Sequence, residues 1–502
     1  MPIITDKLSI GVGAGATWND KKSSAGDFLN WSGALIGHWQ PNDIIYVVPF
    51  IRREGSDDQE TSPRLFNTTN PVMMSRTDRN VFWCQYWADY QSRVTQMGVL
   101  GSATWNDWRL QTGIFRSSFT QLQNTINLLT NPVNDVANRA FLSFPPQHNA
   151  STSGEIRLSR AFLERQRRHI VRVAVRGRDT DRIFGGSQSI PAGTVRLGVY
   201  GEEPRPNFVY GPKGHDTIRE KTVGLSSGVL WPRVGEISAG VQKTYNDRDL
   251  VNPNGTRSQS DASPLIYNAT ASVFPTDDIA MFASYTRGLE DGGVAPDRAA
   301  NPGEAAPASI TRQADVGVRY AITPRLKLIA GAFLIKKPLF DLDARNIFTP
   351  VGDISHKGLE FSVTGSVTDH LTVVAGVVLL RARVSGDLVD RGVIGPIPPE
   401  RSPVVGRLNL QYTLPTWPSL ILDAQAQHDA GQYGDVSDIF RTNSLTSFDL
   451  GARYRFKIGG APATLRGQVL NVTNAFEWQV GPGRALQTNE PRRFQLQFSI
   501  DL

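Results

Sequence analysis

Apolar and polar residues alternate strictly along the end of the chain. The apolar positions of the final segment are Phe494, Leu496, Phe498, Ile500 and Leu502. A period of two predicts a β-strand with one apolar and one polar face. The same period occurs from Phe448 to Ile458, where the polar positions include Arg453, Arg455 and Lys457. Cations on one face cannot lie against a packed apolar core without partners. The pattern therefore fits either a sandwich with an external charged face or a wide membrane barrel with a hydrated interior.

The segments between the predicted strands favour the barrel. About nine short segments rich in Pro, Gly, Asn and Asp have the composition of tight turns. They alternate with long polar connections at residues 55–87, 121–153, 182–217, 246–263, 290–312, 339–355, 386–402, 434–444 and 478–490. Short turns on one side and long loops on the other are typical of an outer-membrane barrel. The pattern predicts an all-β, transmembrane antiparallel β-barrel of about 20 strands.

Composition excludes several other classes of protein. The chain has 502 residues, of which 20% are charged and 40% hydrophobic. Its longest apolar run, Leu371 to Leu380, is far shorter than the ~20 residues of a membrane-spanning helix. The net charge of +6 fits an arginine-rich barrel lining and contact with anionic lipid. A nucleic-acid partner is not predicted, because no basic helix or compact basic block is present.

The residue pattern indicates neither an enzyme nor a protein with a bound cofactor or metal. The single cysteine, Cys84, excludes a disulfide framework, and metal-binding and phosphate-loop motifs are absent. His428 with Asp423 and Asp429 is the nearest approach to a catalytic group, and it has no evident nucleophile. The first seven residues do not resemble a secretory signal peptide.

The segment Ser284–Gly288 begins a resemblance to the barrel of TonB-dependent siderophore receptors. Further segments with this resemblance are 313–320, 333–338, 356–360 and 470–476, and the closing strand runs to the last residue. The resemblance is most specific over residues 274–502, within a single barrel domain at 1–502. It implies a barrel of 22 strands filled by an N-terminal plug domain, with a segment that binds TonB.

Since about 20 strands are counted, we expect a chain that is N-terminally truncated and lacks the signal, the TonB-binding segment, the plug and the first hairpin. We also expect Leu8–Trp18 to lie next to Pro491–Leu502 and to pair with it imperfectly, because unpaired backbone groups are costly in hydrocarbon.

The resemblance implies a receptor in the cell outer membrane that takes up a ferric siderophore or a similar metal chelate. In the complete protein, TonB would energise this transport. The alternatives are a passive, porin-like pore and a non-functional receptor fragment that lacks its plug.

Cations and aromatic faces suit an anionic iron chelate. The candidate ligand-binding residues are Phe82, Trp83, Tyr86, Trp87, Arg172, Arg176, Arg178, Tyr285, Arg287, Tyr433 and Trp478. The closing stripe Phe494, Leu496, Phe498, Ile500 and Leu502 would face outer-membrane lipid, and the resemblance implies that it is the insertion signal.

Overall fold

The computed structural model of the protein describes residues 2–20, 27–58, 63–67, 74–79, 84–199, 201–296 and 298–501. Nearly all regular structure in these ranges is β-strand. The exceptions are the short helix α1 (Asp387–Asp390) and a 3-10 turn at Pro482–Arg484. No helix in the described ranges is long and apolar enough to cross a membrane.

Twenty-seven strands form one sheet. The strands of the first half are β1 (Pro2–Ile4), β2 (Leu8–Asp20), β3 (Asp27–Trp39), β4 (Ile45–Asp58), β5 (Arg64–Phe66), β6 (Tyr90–Trp105), β7 (Trp108–Val133), β8 (Val136–Phe144), β9 (Gln147–Glu164), β10 (Arg167–Gly185), β11 (Gln188–Arg196), β12 (Lys213–Trp231) and β13 (Gly235–Val251). Those of the second half are β14 (Arg257–Ala262), β15 (Leu265–Thr276), β16 (Ile279–Glu290), β17 (Ser309–Thr323), β18 (Leu326–Leu342), β19 (Phe348–Ser366), β20 (Leu371–Gly386), β21 (Val404–Thr413), β22 (Leu420–Asp429), β23 (Leu445–Ile458), β24 (Ala461–Leu470), β25 (Trp478–Val480), β26 (Leu486–Thr488) and β27 (Arg493–Ile500).

Twenty of these strands follow one another as a continuous antiparallel series. They are β2, β3, β4, β6, β7, β9, β10, β12, β13, the ten strands β15 to β24, and β27. The predicted all-β, antiparallel architecture of about 20 strands is confirmed. The remaining seven strands are short edge or loop strands.

Tight turns and long loops separate to opposite ends of this series. Asn106 has a φ of 49° in the two-residue turn between β6 and β7, and Gly459 and Gly460 have φ values of 57° and 92° between β23 and β24. Positive φ at such positions is what two-residue hairpin turns require. We call this end the tight-turn end and the other the long-loop end.

The strand register gives the sheet an apolar face and a polar face. Val316 lies opposite Ala332, which lies opposite Leu359. Directly opposed residues of antiparallel strands point to the same face. Val316 is 57% exposed and Leu359 is 45% exposed, so this apolar face is not covered by the chain itself. Asp315 and Glu360 occupy the alternate positions and belong to the polar face.

Several predicted loops contain strands. The predicted connection 121–153 holds the second half of β7, all of β8 and the start of β9. β8 pairs with both β7 and β11. The richness of this segment in polar residues predicts a loop, but in the structure its polar residues pair with one another. The hydroxyls of Thr125 and Ser143, both buried, lie 3.0 Å apart. The connections 182–217 and 246–263 likewise contain β11 and β14.

The expected pairing of Leu8–Trp18 with Pro491–Leu502 is not found. β27 pairs with β24, while β2 pairs with β3 and with the short strand β1. No ladder joins β27 to β1 or β2 within the described residues. Pairing them would change the curvature of a series in which strand number, tilt and shear are linked. β27 therefore keeps one free edge, and Phe494 is 77% exposed.

Gly358 of β19 lies where the neighbouring strands β18 and β20 pack closely against it. A Cβ at this position would lie 2.4 Å from Phe333 Cζ and 2.8 Å from the Leu379 carbonyl oxygen. The substitution Gly358→Ala should therefore lower the free energy of unfolding by about 1–3 kcal/mol. Urea unfolding followed by tryptophan fluorescence measures this change. Gly13→Ala is the matched control, since a Cβ there meets nothing within 4 Å. Equal stability of the two variants would contradict the proposed close packing.

Candidate ligand-binding site

An arginine-lined cavity of about 250 Å³ lies at the long-loop end of β20. The pairing of β20 with β21 stops at Leu379 and Val404. The loop between these strands meets β20 again further on, where the Val384 amide donates to the Pro396 carbonyl at 2.9 Å. Gly431, Tyr433 and Arg441 of the loop 430–444 complete the lining. The cavity therefore lies at the long-loop end, where three segments of the chain meet.

The polar residues that border the cavity are Arg381, Arg383, Arg401, Tyr433 and Arg441. Arg381 and Arg383 lie two and four residues after Leu379, which is opposite Leu359, so the register places them on the apolar face.

The guanidinium groups of this cavity have backbone partners in place of carboxylates. Arg383 donates to the Ala382 carbonyl at 3.1 Å and Arg401 to that of Glu400 at 3.0 Å. Arg441 lies over the Tyr433 ring, 5.7 Å from its centroid. None of the four cavity arginines forms an ion pair with an acidic residue that the structure describes. Their charge is therefore available to an anion, and a guanidinium can bind two oxygens of one group at once.

Asp438 is an acidic residue that contacts the cavity lining through Ile397. Burial raises the pKa of the Asp438 carboxyl above its usual range, and the neighbouring Asp435 raises it further. Asp438 Oδ2 accepts a hydrogen bond from the Ile397 amide at 3.0 Å, which acts in the opposite direction on the pKa. The positive charge of Arg383, which also borders the cavity, acts to lower this pKa.

The three predicted arginines of β10 form a separate cationic stripe. Arg172, Arg176 and Arg178 alternate with apolar-face residues, so all three belong to the polar face. Arg176 donates to Gln242 Oε1 at 2.5 Å, and Arg178 Nε donates to Ser151 Oγ at 3.2 Å. The structure brings these three together, but β10 is eight steps from β20 in the strand series. They do not contribute to the cavity.

Tyr285 and Arg287 lie on the apolar face. Tyr285 is opposite Ala314 and Arg287 is opposite Arg312, in the same alternation as Val316. The Arg287 guanidinium stacks over Tyr267 at 5.8 Å. This orientation turns both residues away from the polar face that carries the β10 arginines.

The predicted aromatic residues of the first long loop have different surroundings. Trp87 Nε1 donates to the Glu203 carbonyl at 2.7 Å, and its ring meets Phe141 edge-on at 4.8 Å. These contacts hold the loop structure, whereas Tyr86 is 51% exposed and accessible to a ligand. Phe82 and Trp83 lie outside the described residues.

Trp478 is buried in a cluster that connects loops from the two ends of the strand series. It is 2% exposed and packs with Leu65, Phe440 and Leu486 among other residues. Trp478 Nε1 donates to the Ser75 carbonyl at 3.2 Å. The side chain therefore supports the fold of the loops and is not accessible to a ligand.

Arg79 also joins the loop after β4 to the loop after β24. Its guanidinium donates to Asn474 Oδ1 at 2.6 Å, to the Ala475 carbonyl at 2.8 Å and to the Glu490 carbonyl at 3.1 Å. We call Arg79 together with the Trp478 cluster the rim clasp. It joins the loop after β4 to the loop after β24, near the two ends of the series.

His428, Asp423 and Asp429, the candidates for a catalytic group in the sequence, do not form one site in the structure. Asp423 lies close to Arg453 and Arg466, at 3.3 and 3.7 Å. Asp429 pairs with Arg407 at 2.9 Å. The His428 side chain belongs to the opposite face, where its Nδ1 lies 2.8 Å from Thr446 Oγ1. Both carboxylates therefore have structural partners and neither orients the imidazole.

Sequence reasoning identified Tyr433 but missed the four cavity arginines. Arg381 and Arg383 continue the alternation at the end of the apolar run Leu371–Leu380, which is a detectable signal. Arg401 and Arg441 come from two separate loops, and their meeting depends on the tertiary fold.

The family model described as TonB dependent receptor-like, beta-barrel matches residues 5–472. The chain belongs to the TonB-dependent receptor β-barrel family. The ferrichrome receptor FcuA of Yersinia enterocolitica is 23% identical over 245 residues, which are 46% of this chain and 31% of that receptor. The matched region thus spans about a third of the length of this curated relative.

Solved structures of two receptors share the barrel fold. One is the ferric preacinetobactin receptor BauA of Acinetobacter baumannii, with a TM-score of 0.86 and 18% identity over 99% of this chain and 75% of that chain. The other is the ferric-catecholate import receptor Fiu of E. coli, with a TM-score of 0.81 and 12% identity over 99% of this chain and 78% of that chain. At these identities the likeness concerns the fold alone.

The rim clasp of this family member can be tested through Arg79. Arg79→Ala leaves several carbonyl groups without their donor, so the loop 474–490 should open more readily, with cleavage by a protease accelerated about tenfold. Limited proteolysis of the folded protein followed by mass spectrometry measures this rate. Arg345→Ala is the control, because Arg345 is exposed and, among the described residues, its ion pair is with the nearby Asp343. Equal cleavage of that loop in both variants would show that Arg79 does not hold the clasp.

Proposed function

We propose that the protein is an outer-membrane receptor that binds and imports a ferric siderophore or a similar anionic metal chelate. Membership of the TonB-dependent receptor family supports transport, and BauA and Fiu, two receptors with similar structures, are named for ferric chelates. In this proposal the apolar face contacts outer-membrane lipid, the long loops face the exterior, and TonB supplies the energy in the complete protein.

The observation that carries the proposal is the cavity with four arginines at the long-loop end. A chelate with anionic oxygens would replace water around Arg401 and Arg441 and lie against the Tyr433 ring. Charge-assisted hydrogen bonds of this kind are stronger than neutral ones. The β10 stripe of Arg172, Arg176 and Arg178 would act afterwards, because it lines the polar face along which an anion would pass.

Binding of a ferric tris-catecholate to the purified protein tests the cavity. Arg401→Gln combined with Arg441→Gln should weaken binding by about 10–100-fold for each arginine, and so by at least about 100-fold together, since hydrogen bonds to charged groups contribute about 1.5–3 kcal/mol each. Tryptophan fluorescence quenching provides the dissociation constant, and a neutral ferric hydroxamate should show a smaller difference.

Two further variants make this test specific. Arg345→Gln removes one exposed charge outside the cavity and should leave binding unchanged. Substituting Arg172, Arg176 and Arg178 together by Gln should slow uptake more than it weakens initial binding. Unchanged affinity in the cavity variant would refute the role of Arg401 and Arg441.

A passive pore is the second candidate function. The observation that favours it is the polar face of the series, which is lined by cations such as Arg172 and could conduct small solutes. Conductance in a planar bilayer distinguishes the two functions. Steady, large openings that a ferric chelate does not change would support the pore, and channels that remain closed would support the receptor.

A further inference from the structure

A single Asn-Gly dipeptide occurs in the sequence, at Asn254 and Gly255. It lies at the long-loop end, in the turn of residues 252–256 that joins β13 to β14. Gly255 has a φ of 83°, and its amide donates to the Asn252 carbonyl at 2.9 Å. Asn254, Gly255 and Thr256 are all exposed. The dipeptide is therefore open to water.

The side chain of Asn254 is folded over the peptide bond that follows it. Its Oδ1 accepts hydrogen bonds from the Thr256 amide at 2.9 Å and from the Thr256 hydroxyl at 2.7 Å. An asparagine oxygen bound to the amide two residues further on closes an Asx turn. The carboxamide carbon Cγ of Asn254 consequently lies on the same side of the turn as the nitrogen of Gly255.

This geometry favours attack of the Gly255 nitrogen on Asn254 Cγ. The two Thr256 donors point at the oxygen that becomes negative when Cγ is attacked, and donors in such a position stabilise an oxyanion. Gly255 has no side chain to obstruct the approach. Its N–H group lies in the peptide plane and is directed at Asn252, which leaves the face of the nitrogen above that plane open.

We propose that Asn254 deamidates spontaneously and is converted in part to isoaspartate. The Gly255 nitrogen bonds to Cγ and loses its proton, the bond from Cγ to Nδ2 breaks, and ammonia leaves with that proton. The product is a five-membered succinimide. Water then adds to one succinimide carbonyl and breaks its bond to the Gly255 nitrogen. Opening at Cγ gives aspartate, and opening at the backbone carbonyl gives isoaspartate.

Isoaspartate at this position changes the anchoring of the loop 291–308. Thr256 Oγ1 accepts from Asn252 Nδ2 at 3.0 Å, and the same Nδ2 donates to the Gly303 carbonyl at 3.0 Å. The contact is close, since a Cβ at Gly303 would lie 2.4 Å from Asn252 Nδ2. Isoaspartate adds a methylene to the backbone between Asn252 and Thr256 and displaces one relative to the other. The modification therefore releases the loop 291–308 from the turn.

Peptide mapping by mass spectrometry, after storage of the folded full chain in mildly alkaline buffer, tests the reaction. The gain in mass of the peptide with Asn254 reports deamidation, and an isoaspartyl methyltransferase labels isoaspartate. Asn106 is the internal control, because it lies exposed in a tight turn but is followed by Asp107. Asn254 should react at least about tenfold faster, since glycine lacks the side chain that hinders the attack. Equal rates at the two asparagines would overturn the proposal.

Two variants test the chemistry. Thr256→Val removes the hydroxyl donor and should slow the reaction about three- to tenfold, which is the effect of one hydrogen bond to the reacting group. An unchanged rate would overturn the role of that hydroxyl. Asn254→Gln lengthens the side chain and should abolish methyltransferase labelling in this turn. Labelling that persists in this variant would show that the isoaspartate forms elsewhere.

Trypsin cleavage after the exposed Arg298 measures release of the loop 291–308. Stored protein should be cut about tenfold faster than fresh protein, in proportion to its isoaspartate content. Fresh Asn254→Asp protein has the carboxylate without the added methylene and should be cut as slowly as fresh unsubstituted protein. Stored Asn254→Gln protein should stay resistant. Equal cleavage of fresh protein and of stored protein that contains isoaspartate would overturn the effect on the loop.

Discussion

Backbone hydrogen bonding between neighbouring strands is the constraint on which the rest of this structure depends. A chain in a hydrocarbon medium has no water to satisfy its amide and carbonyl groups, so each strand must pair along its length. The pairing of β10 with β12, for example, continues without a shift from Arg168 to Gly185. Once the register is set, every second side chain is committed to the apolar face. A slip of one residue would bring Arg172 to the lipid side and Val173 to the polar side.

The same constraint organises the charged residues. Opposed residues share a face, so cations at opposed positions of neighbouring strands lie side by side. The sheet therefore contains rows of cations that cannot be recognised from any one strand of the sequence. On the polar face a cation can find a carboxylate, as Arg453 does with Asp423, or a neutral side chain, as Arg176 does with Gln242. At the long-loop end of the apolar face, Arg312 lies directly opposite Lys336, and neither forms an ion pair with a carboxylate among the described residues. Positive charge is therefore concentrated at this end of the apolar face.

Alternation is a local property, and it could be read directly from the sequence. It predicted the long strands, and turn chemistry at sites such as Asn106 predicted the connections between them. Alternation does not predict the polar pairing of β7 with β8, because the hydroxyls of Thr125 and Ser143 meet only after these two segments have paired. The cavity was missed for the same reason, since Arg401 and Arg441 lie on loops whose approach is set by the sheet below them. Burial of Trp478 also depends on tertiary contacts, so its role in the loop cluster could not be inferred from its sequence position.

The loop 430–444 and the loop after β24 contact each other at the long-loop end. Gln432 Nε2 donates to the Val480 carbonyl at 3.1 Å, and Phe440 packs in the same cluster as Trp478. Tyr433 and Arg441, which line the cavity, lie between these anchoring points on the loop 430–444. A displacement of that loop must therefore disturb the cluster that holds the loop after β24 against the loop after β4. Since β27 has only one strand partner among the described residues, the rim clasp is the structure that ties its end of the series to the other. The cavity and the clasp consequently share one set of contacts, and the register of the sheet determines where both are formed.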